Sequence, residues 1–326
     1  MHITEPIIRS FSMNDFIWGC DRAFRLFNRG MLRNLPRQER IEKLGDLDHF
    51  QLKMCSVWPD CYKACKIIDE QSDVKTGSLA KRTAFIDFQD VKNNLSVKLD
   101  AGSLTDMRTG ASGALALKYV ATNPLSRIAI VGTGRVARNL AIACDKLFKL
   151  EKIFCTSRQK HNREAFFYDI KDKVNASLEM FPSIDQCLED VDALLMAVPT
   201  PSPIVDDSIL DRLSYLVVIG GDSRTRQLPQ KILEQYPIVV DEMTQARNSG
   251  EFLWAKDQGY EDLLVFSEDV SGKQLILHDY LQLPLPSKTG KAVIYLTGLA
   301  FHDLCVSAMI YEKIAGIKDG AMSFLK

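Results

Sequence analysis

A glycine turn between a buried strand and a helix constrains this chain more than any other feature. Arg127-Ile128-Ala129-Ile130-Val131 is an apolar run of strand length, and Gly132-Thr133-Gly134-Arg135-Val136-Ala137 follows it without a break. From Val136 to Phe148 the apolar residues return at helical spacing. A G-x-G-x-x-G/A pattern alone is weak, but a strand before it and a helix after it are the context it requires. The first glycine permits the tight turn, the second lets a pyrophosphate approach the backbone, and Ala137 keeps helix and strand close. The helix start adds free N–H groups and a positive dipole end. The turn therefore predicts a Rossmann-type domain that binds a nicotinamide dinucleotide; a tight turn with no ligand is the alternative.

The flanking sequence fits that fold class. Strands are expected at 127–131, 152–157, 177–181, 192–198, 214–220 and 237–241, with helices at about 135–149, 160–174, 183–189 and 228–235. Strands alternating with crossover helices make an α/β, doubly wound parallel sheet. A strand near 292–296 and a helix at about 299–315 follow. Residues 1–124 read instead as α+β. Ser12 and Asp15 form a capping box before Phe16, Cys20, Ala23, Phe24 and Phe27 at helical spacing, and Gly30 is a stop. Residues 51–58, 82–88 and 95–100 read as strands, and Ser103 with Asp106 repeats the capping pattern ahead of a helix to Val120. The expected domains are 1–124 and 125–300, with 301–326 packing back on the first.

Composition removes several function classes. The 326 residues are 46% hydrophobic and 25% charged with a formal net charge of -1, the profile of a soluble globular protein. No global field favours nucleic acid or an anionic membrane, and no basic cluster is interleaved with aromatics. Met1-His2-Ile3-Thr4-Glu5-Pro6 lacks the features of a signal peptide, and no apolar stretch approaches the ~20 residues that span a bilayer, so a cytoplasmic protein is expected. Cys55, Cys61 and Cys65 are the closest of eight cysteines; without a CxxC or paired histidines, no metal site is expected. The thiols are expected to be reduced, several of them in the core.

Polar residues at strand ends suggest where chemistry occurs. The strand after the glycine turn ends in Ser157-Arg158 and carries no carboxylate for an adenosine ribose. An arginine there suits the 2′-phosphate of NADP(H), which favours it over NAD(H); a solvated helix-start arginine is the other reading. Asp192–Val198 runs into the stiff Pro199-Thr200-Pro201-Ser202-Pro203, and Ser214–Ile219 runs into Gly220-Gly221-Asp222. Asp222 falls near the expected nicotinamide, or it is a turn acid. Leu104, Arg108, Ala111 and Leu115 share one helical stripe. Arg108 there is a carboxylate clamp, an interdomain salt bridge, or a stem reaching solvent.

These residues resemble the ornithine cyclodeaminase/mu-crystallin family. Ser103–Ala111 is similar to its LT-x-x-RT helix start, Ile130–Arg138 to its IGTG-x-x-A-R turn, and Ala197-Val198-Pro199 to its third nucleotide-contacting strand end. Ile219–Asp222 resembles its G-A-D turn, Val239–Asp241 with Gly250-Glu251 its VVD…GE segment, and Gly298–Asp303 its G-x-A-x-x-D helix. The resemblance implies a Rossmann domain plus a substrate and dimerisation domain, and a homodimer. It implies that Asp222 handles the substrate amino group and that Arg108 binds the substrate carboxylate. Lys53, before Trp58-Pro59, matches a strand lysine that faces substrate, and Arg37, after Leu35-Pro36, matches an upstream arginine that helps hold the carboxylate. The implied cofactor contacts are Gly132, Thr133, Gly134, Arg135, Val136, Ser157, Arg158, Val198 and Pro199.

One departure bears on substrate. The family often has a Met-Pro pair between that arginine and lysine, whereas Ile41–Asp48 has none, which puts ornithine recognition in doubt. The main expectation is an NAD(P)-dependent oxidoreductase acting on the C–N bond of an amino acid or its imine. The alternatives are a redox-neutral ornithine or lysine cyclodeaminase that releases ammonia, and a non-catalytic NADPH or small-ligand binder of mu-crystallin type.

Overall fold

The computed structural model describes residues 1–74, 79–221, 223–281, 290–318 and 320–323. The chain begins with β1 (His2–Ile3), α1 (Glu5–Arg9), α2 (Met13–Asn28), β2 (Arg33–Asn34), β3 (Gln38–Leu44), β4 (Leu47–Trp58) and β5 (Tyr62–Asp73). Next come β6 (Leu79–Asp90), β7 (Leu95–Asp100), α3 (Gly102–Val120), β8 (Arg127–Val131), α4 (Arg135–Leu147), β9 (Lys152–Thr156) and α5 (Lys160–Ile170). Then follow β10 (Ser177–Phe181), α6 (Ile184–Cys187), β11 (Ala193–Met196), α7 (Ile209–Arg212), β12 (Tyr215–Ile219), α8 (Gln230–Gln235) and β13 (Ile238–Val240). The last elements are α9 (Met243–Arg247), α10 (Gly250–Asp257), β14 (Ala292–Leu296) and α11 (Ala300–Ala315). Contacts divide the chain into Met1–Arg108 with Leu299–Lys326, and Thr109–Gly298; the division falls inside α3. Among the described residues no helix is long and apolar enough to cross a membrane.

The first unit is built on a sheet of order β1-β7-β6-β5-β4-β2, with β3 also paired to β4. Four of its strands, the two-residue β1 and β2 and the longer β3 and β5, are not expected from the sequence. Residues 62–73 alternate correctly, but Lys66 sits among the inward positions Tyr62, Ala64 and Ile68, so the apolar stripe is broken. The helix α2 has the expected capping box, Ser12 and Asp15 satisfying each other's backbone N–H groups. Its apolar face meets α11, where a Cβ on Gly19 would lie 3.2 Å from Val306.

Ser103 is not the cap of α3. The helix starts one residue earlier, at Gly102, and the orphan N–H of Ser103 donates to the Glu5 carboxylate at 2.9 Å. A distant carboxylate thus does the work that the local pattern assigned to the serine.

Cysteine chemistry also departs from expectation. Register pairs Cys55 of β4 directly with Cys65 of β5, and the two form a disulfide. Spacing alone concealed this, because only the hairpin brings the thiols face to face. The other six cysteines are free, and five of those are buried.

The second unit holds a parallel sheet of order β10-β9-β8-β11-β12-β14-β13. Its core is the near-continuous apolar strand interior expected of a sheet covered on both faces, with Leu194, Met196, Leu216, Val218, Val293 and Tyr295 in one buried cluster. The chain crosses from one side of β8 to the other between β9–β10 and β11–β12. Strand order therefore reverses beside β8, and ligands in open α/β sheets bind at such a switch point.

Candidate active site

The nucleotide end lies at the carboxyl edge of β8, β9 and β11. Gly132 has φ +117°, and a Cβ there would stand 2.6 Å from the Ala197 carbonyl oxygen. Only glycine makes this turn. Gly134 caps α4 in extended backbone, and a Cβ there would meet no atom within 4 Å. The first turn of α4 contains no acid, and Arg135 occupies its first position, exposed. Arg138 fixes the turn by donating to the Thr133 carbonyl and, at 2.8 Å, to Asp169.

A cavity of about 550 Å³ opens beside this turn. Gly132, Thr133, Gly134, Ser157, Arg158, Val198 and Pro199 all line it, with Pro182 and Ile184 offering apolar surface. Thr133 Oγ1 donates to Ser157 Oγ at 3.0 Å, which leaves the Ser157 hydroxyl proton for another acceptor. A second cavity of about 150 Å³ shares the Val198–Pro199 wall and is lined by Val136, Ile219, Gly220, Thr225 and Gln227. The two cavities share Ala197, Val198 and Pro199, and the larger is lined by Gly134, the N-cap of α4, where free N–H groups favour an anion.

Asp222 lies outside the described residues. The backbone leading to it is fixed: Gly220 N donates to the Leu296 carbonyl at 3.0 Å. Gly221 has φ +90°, and a Cβ there would lie 2.5 Å from Thr297.

The first unit contains a different kind of site. Arg108, on α3 and 4% exposed, donates from Nε to Asp303 Oδ1 at 2.9 Å. Asp303, on α11, also receives Lys66 of β5, with Nζ 2.8 Å from Oδ2. Both members of the Lys66–Asp303 pair are 1% exposed. Burial, followed by the Arg108 charge, lowers the Lys66 ammonium to about 8. Burial alone would raise the Asp303 carboxyl, but Arg108 and Lys66 outweigh it and hold it below its ordinary value. Burial, with Arg108 next, keeps the adjacent His302 imidazole neutral.

The cluster thus places two cations around one carboxylate. Arg37 is partly buried, pairs with Glu39 at 2.5 Å, and adds a further positive charge that acts on Lys66. A buried excess of positive charge is costly unless an anion completes it. A carboxylate fits both a guanidinium fork and an ammonium.

Lys53 is not brought to this cluster. It is exposed on β4, next to Met54, which pairs with Lys66. Neighbours on a strand face opposite sides, so Lys53 lies on the other face of the sheet. Sequence reasoning missed Lys66 because a lysine at an inward strand position reads as loop. The one available signal was that Tyr62, Ala64 and Ile68 flank it with period two.

The profile of the ornithine cyclodeaminase/mu-crystallin family matches residues 1–318. The chain is 24% identical to the alanine dehydrogenase of Archaeoglobus fulgidus over 311 residues, 94% of this chain and 92% of that one. In fold it is similar to the Thermococcus litoralis Δ1-pyrroline-2-carboxylate reductase in complex with NADH and L-proline. There the TM-score is 0.83 at 20% identity, with 98% and 99% of the two chains covered. It is also similar to an archaeal alanine dehydrogenase dimer with bound NAD, at a TM-score of 0.79, 21% identity and 98% coverage of each chain. A phosphate turn at a switch point, a buried cation pair on a single carboxylate, and a profile match over nearly the whole length converge: this chain belongs to the ornithine cyclodeaminase/mu-crystallin family.

Proposed function

We propose that this protein is an NAD(P)-dependent oxidoreductase that acts on the C–N bond of an amino acid or its imine. The observation that carries the reading is the Lys66–Asp303–Arg108 cluster, a buried site short of one anion in a fold that also holds a dinucleotide turn. The related dehydrogenase and reductase act on an amino acid and on a cyclic imino acid, each of which bears a carboxylate.

The roles follow from the chemistry. Gly132, Gly134 and the start of α4 hold the pyrophosphate, with Thr133, Arg135, Val136, Val198 and Pro199 around the dinucleotide. The bound nicotinamide supplies or accepts a hydride. Lys66 and Arg108, with Arg37 behind them, hold the substrate carboxylate and so fix the α-carbon. Asp303 keeps both cations charged and oriented. Asp222, one residue past a turn fixed by Gly221, handles the proton on the substrate nitrogen.

For the cofactor we propose NADP(H) over NAD(H). No carboxylate is among the described residues that line the larger cavity. Ser157 retains a donor and Arg158 a positive charge, which suits a 2′-phosphate rather than a ribose hydroxyl. We also propose a homodimer, the state described for the archaeal alanine dehydrogenase.

The test combines two assays. Purified protein with NADPH and cyclic ketimines, or with a keto acid and ammonia, is expected to consume NADPH. Ammonia release from ornithine or lysine without net change in reduced nicotinamide would instead make the protein a cyclodeaminase. Tighter binding of NADH than NADPH would overturn the cofactor preference.

A further inference from the structure

A third cavity, of about 270 Å³, opens in the second unit where α9, α10 and the segment from Glu261 to Phe266 meet. It shares no lining residue with the two dinucleotide cavities. Its volume is below the roughly 300–1,000 Å³ of pockets for drug-sized ligands, so it suits a small metabolite. Its apolar side is firmly anchored. Phe252 is buried and stacks on Phe266, with ring planes 15° apart and centroids at 5.9 Å, and its edge meets Tyr295 in the sheet core.

The rest of the lining carries charge of both signs: Arg247 and Lys256, Glu261 and Asp262. Each has a local reason to be where it is. Arg247 and Lys256 stand in the last turns of α9 and α10, and the acids open the short 3-10 turn Glu261–Leu263. Local reasons do not explain why the four leave each other alone. Elsewhere on the surface neighbouring opposite charges close on one another, Arg25 on Asp21 at 2.7 Å and Lys152 on Glu179 at 2.8 Å. Among the described residues, none of the four around this cavity forms an ion pair.

The mixture of signs selects the ligand. A simple anion would meet two carboxylates, and a simple cation would meet an arginine and a lysine. The described residues hold no group of three His, Cys, Asp or Glu side chains able to bind a metal ion. A zwitterion satisfies both signs at once, and an α-amino acid carries its two charges one carbon apart. Its carboxylate matches a guanidinium fork. Asn248, also in the lining, donates its side-chain N–H to the Thr244 carbonyl at 2.8 Å, which leaves its side-chain oxygen to accept from an ammonium. We propose that this cavity is a second small-molecule site, which takes a free α-amino acid with an apolar side chain. Arg247 and Lys256 hold the carboxylate, Glu261, Asp262 and Asn248 hold the ammonium, and Phe252 and Phe266 face the side chain. The inference goes beyond the active-site reading and shares no residue with it.

The test is equilibrium binding by titration calorimetry, with L-alanine, L-proline, L-valine and L-leucine as probes. The Lys66 cluster is itself proposed to bind a carboxylate, so the titrations are run on Lys66→Met as well as on wild type. Lys66→Met is expected to retain saturable binding of about one equivalent of at least one probe. The N-acetyl derivative and the amide of that probe, which lack the ammonium and the carboxylate respectively, are expected to bind about tenfold or more weakly. The double variants Arg247→Ala with Lys256→Ala and Glu261→Gln with Asp262→Asn are each expected to weaken binding by a similar factor. Their side chains are unpaired, so the thermal midpoint and NAD(P)H binding are expected to stay at wild-type values. Absence of saturable binding in Lys66→Met overturns the proposal, as does equal binding of either blocked derivative, or binding that survives in either double variant. Should Lys66→Met fail to fold, the same double variants made in the wild-type background must lose one of two bound equivalents. If Lys66→Met changes neither turnover nor binding, the active-site reading fails while the cavity variants still decide this one.

Discussion

The Nζ of Lys66 lies 2.8 Å from Oδ2 of Asp303, and neither side chain is more than 1% exposed. Arg108 holds the other oxygen of the same carboxylate at 2.9 Å. One buried acid therefore serves two cations that arrive from different elements, β5 and α3. The arrangement is stable as a framework, because Asp303 pairs with both cations. It is also unfinished, because the sum of the three formal charges is positive. On the proposed function, a substrate carboxylate would complete it.

Removing the lysine separates this role from that of its sequence neighbour. Lys66→Met leaves Asp303 paired with Arg108, so the fold is expected to persist while kcat/KM for the amino or imino acid falls by roughly a hundredfold or more. Lys53→Met, on the opposite face of the sheet, is expected to stay within about twofold of wild type. Steady-state kinetics on both variants decide the matter; a larger loss at Lys53 would return the substrate lysine to that position.

The glycines of the phosphate turn are expected to fail differently. Gly132→Ala forces a Cβ to within 2.6 Å of a backbone carbonyl at φ +117°, so it is expected to destabilise the protein as well as abolish cofactor binding. Gly134→Ala meets no protein atom within 4 Å, in a backbone conformation any residue adopts. It is expected to unfold with the wild-type midpoint yet bind dinucleotide about tenfold or more weakly, because the methyl group occupies space where the pyrophosphate approaches. Thermal unfolding with and without cofactor measures both effects.

Asp241 is expected to dominate one part of the pH–stability curve. Its oxygens accept from the Thr297 hydroxyl at 2.7 Å and from the N–H groups of Thr297 and Gly298 at 2.9 and 3.0 Å. Burial nevertheless pushes its pKa up to about 6 from 3.8. Between those values the folded chain keeps the proton and the unfolded chain has lost it. Its contribution is therefore fully present below the unfolded value and is lost as pH rises through about 6, a change of roughly 3 kcal/mol. Urea unfolding from about pH 4 to pH 7 is expected to show a steeper decline in wild type than in Asp241→Asn, which does not titrate. Parallel curves would contradict the assignment.

The Cys55–Cys65 disulfide closes a short loop across β4 and β5, with a sequence separation of 10. Closing a loop of that size stabilises a domain by about 2–3 kcal/mol. Intact mass before and after reduction is expected to differ by two hydrogens, and a strong reductant is expected to lower the unfolding midpoint. A mass unchanged by reduction would mean that both thiols are free.

Half of this protein was legible from its residues alone. Strand β8, the glycine turn and α4 are contiguous, and each carries a local signature: an apolar run, a backbone that only glycine adopts, and a 3.6-residue period. The parallel sheet followed from alternation, and Ser157-Arg158 could be read as the end of the next strand. The capping box of α2 was likewise visible, because both partners lie within one turn. The substrate end followed different physics. Lys66 was hidden because burying its charge breaks the apolar alternation by which a strand is recognised. Asp303, which makes that burial tolerable, arrives from α11 near the other end of the chain. Ser103 was displaced as a cap by Glu5, and Cys55 met Cys65 only through hairpin register. Local periodicity determines which elements form. A buried charge or amide needs a partner, and that partner is supplied by whatever the tertiary structure brings within 3 Å, at any distance along the chain.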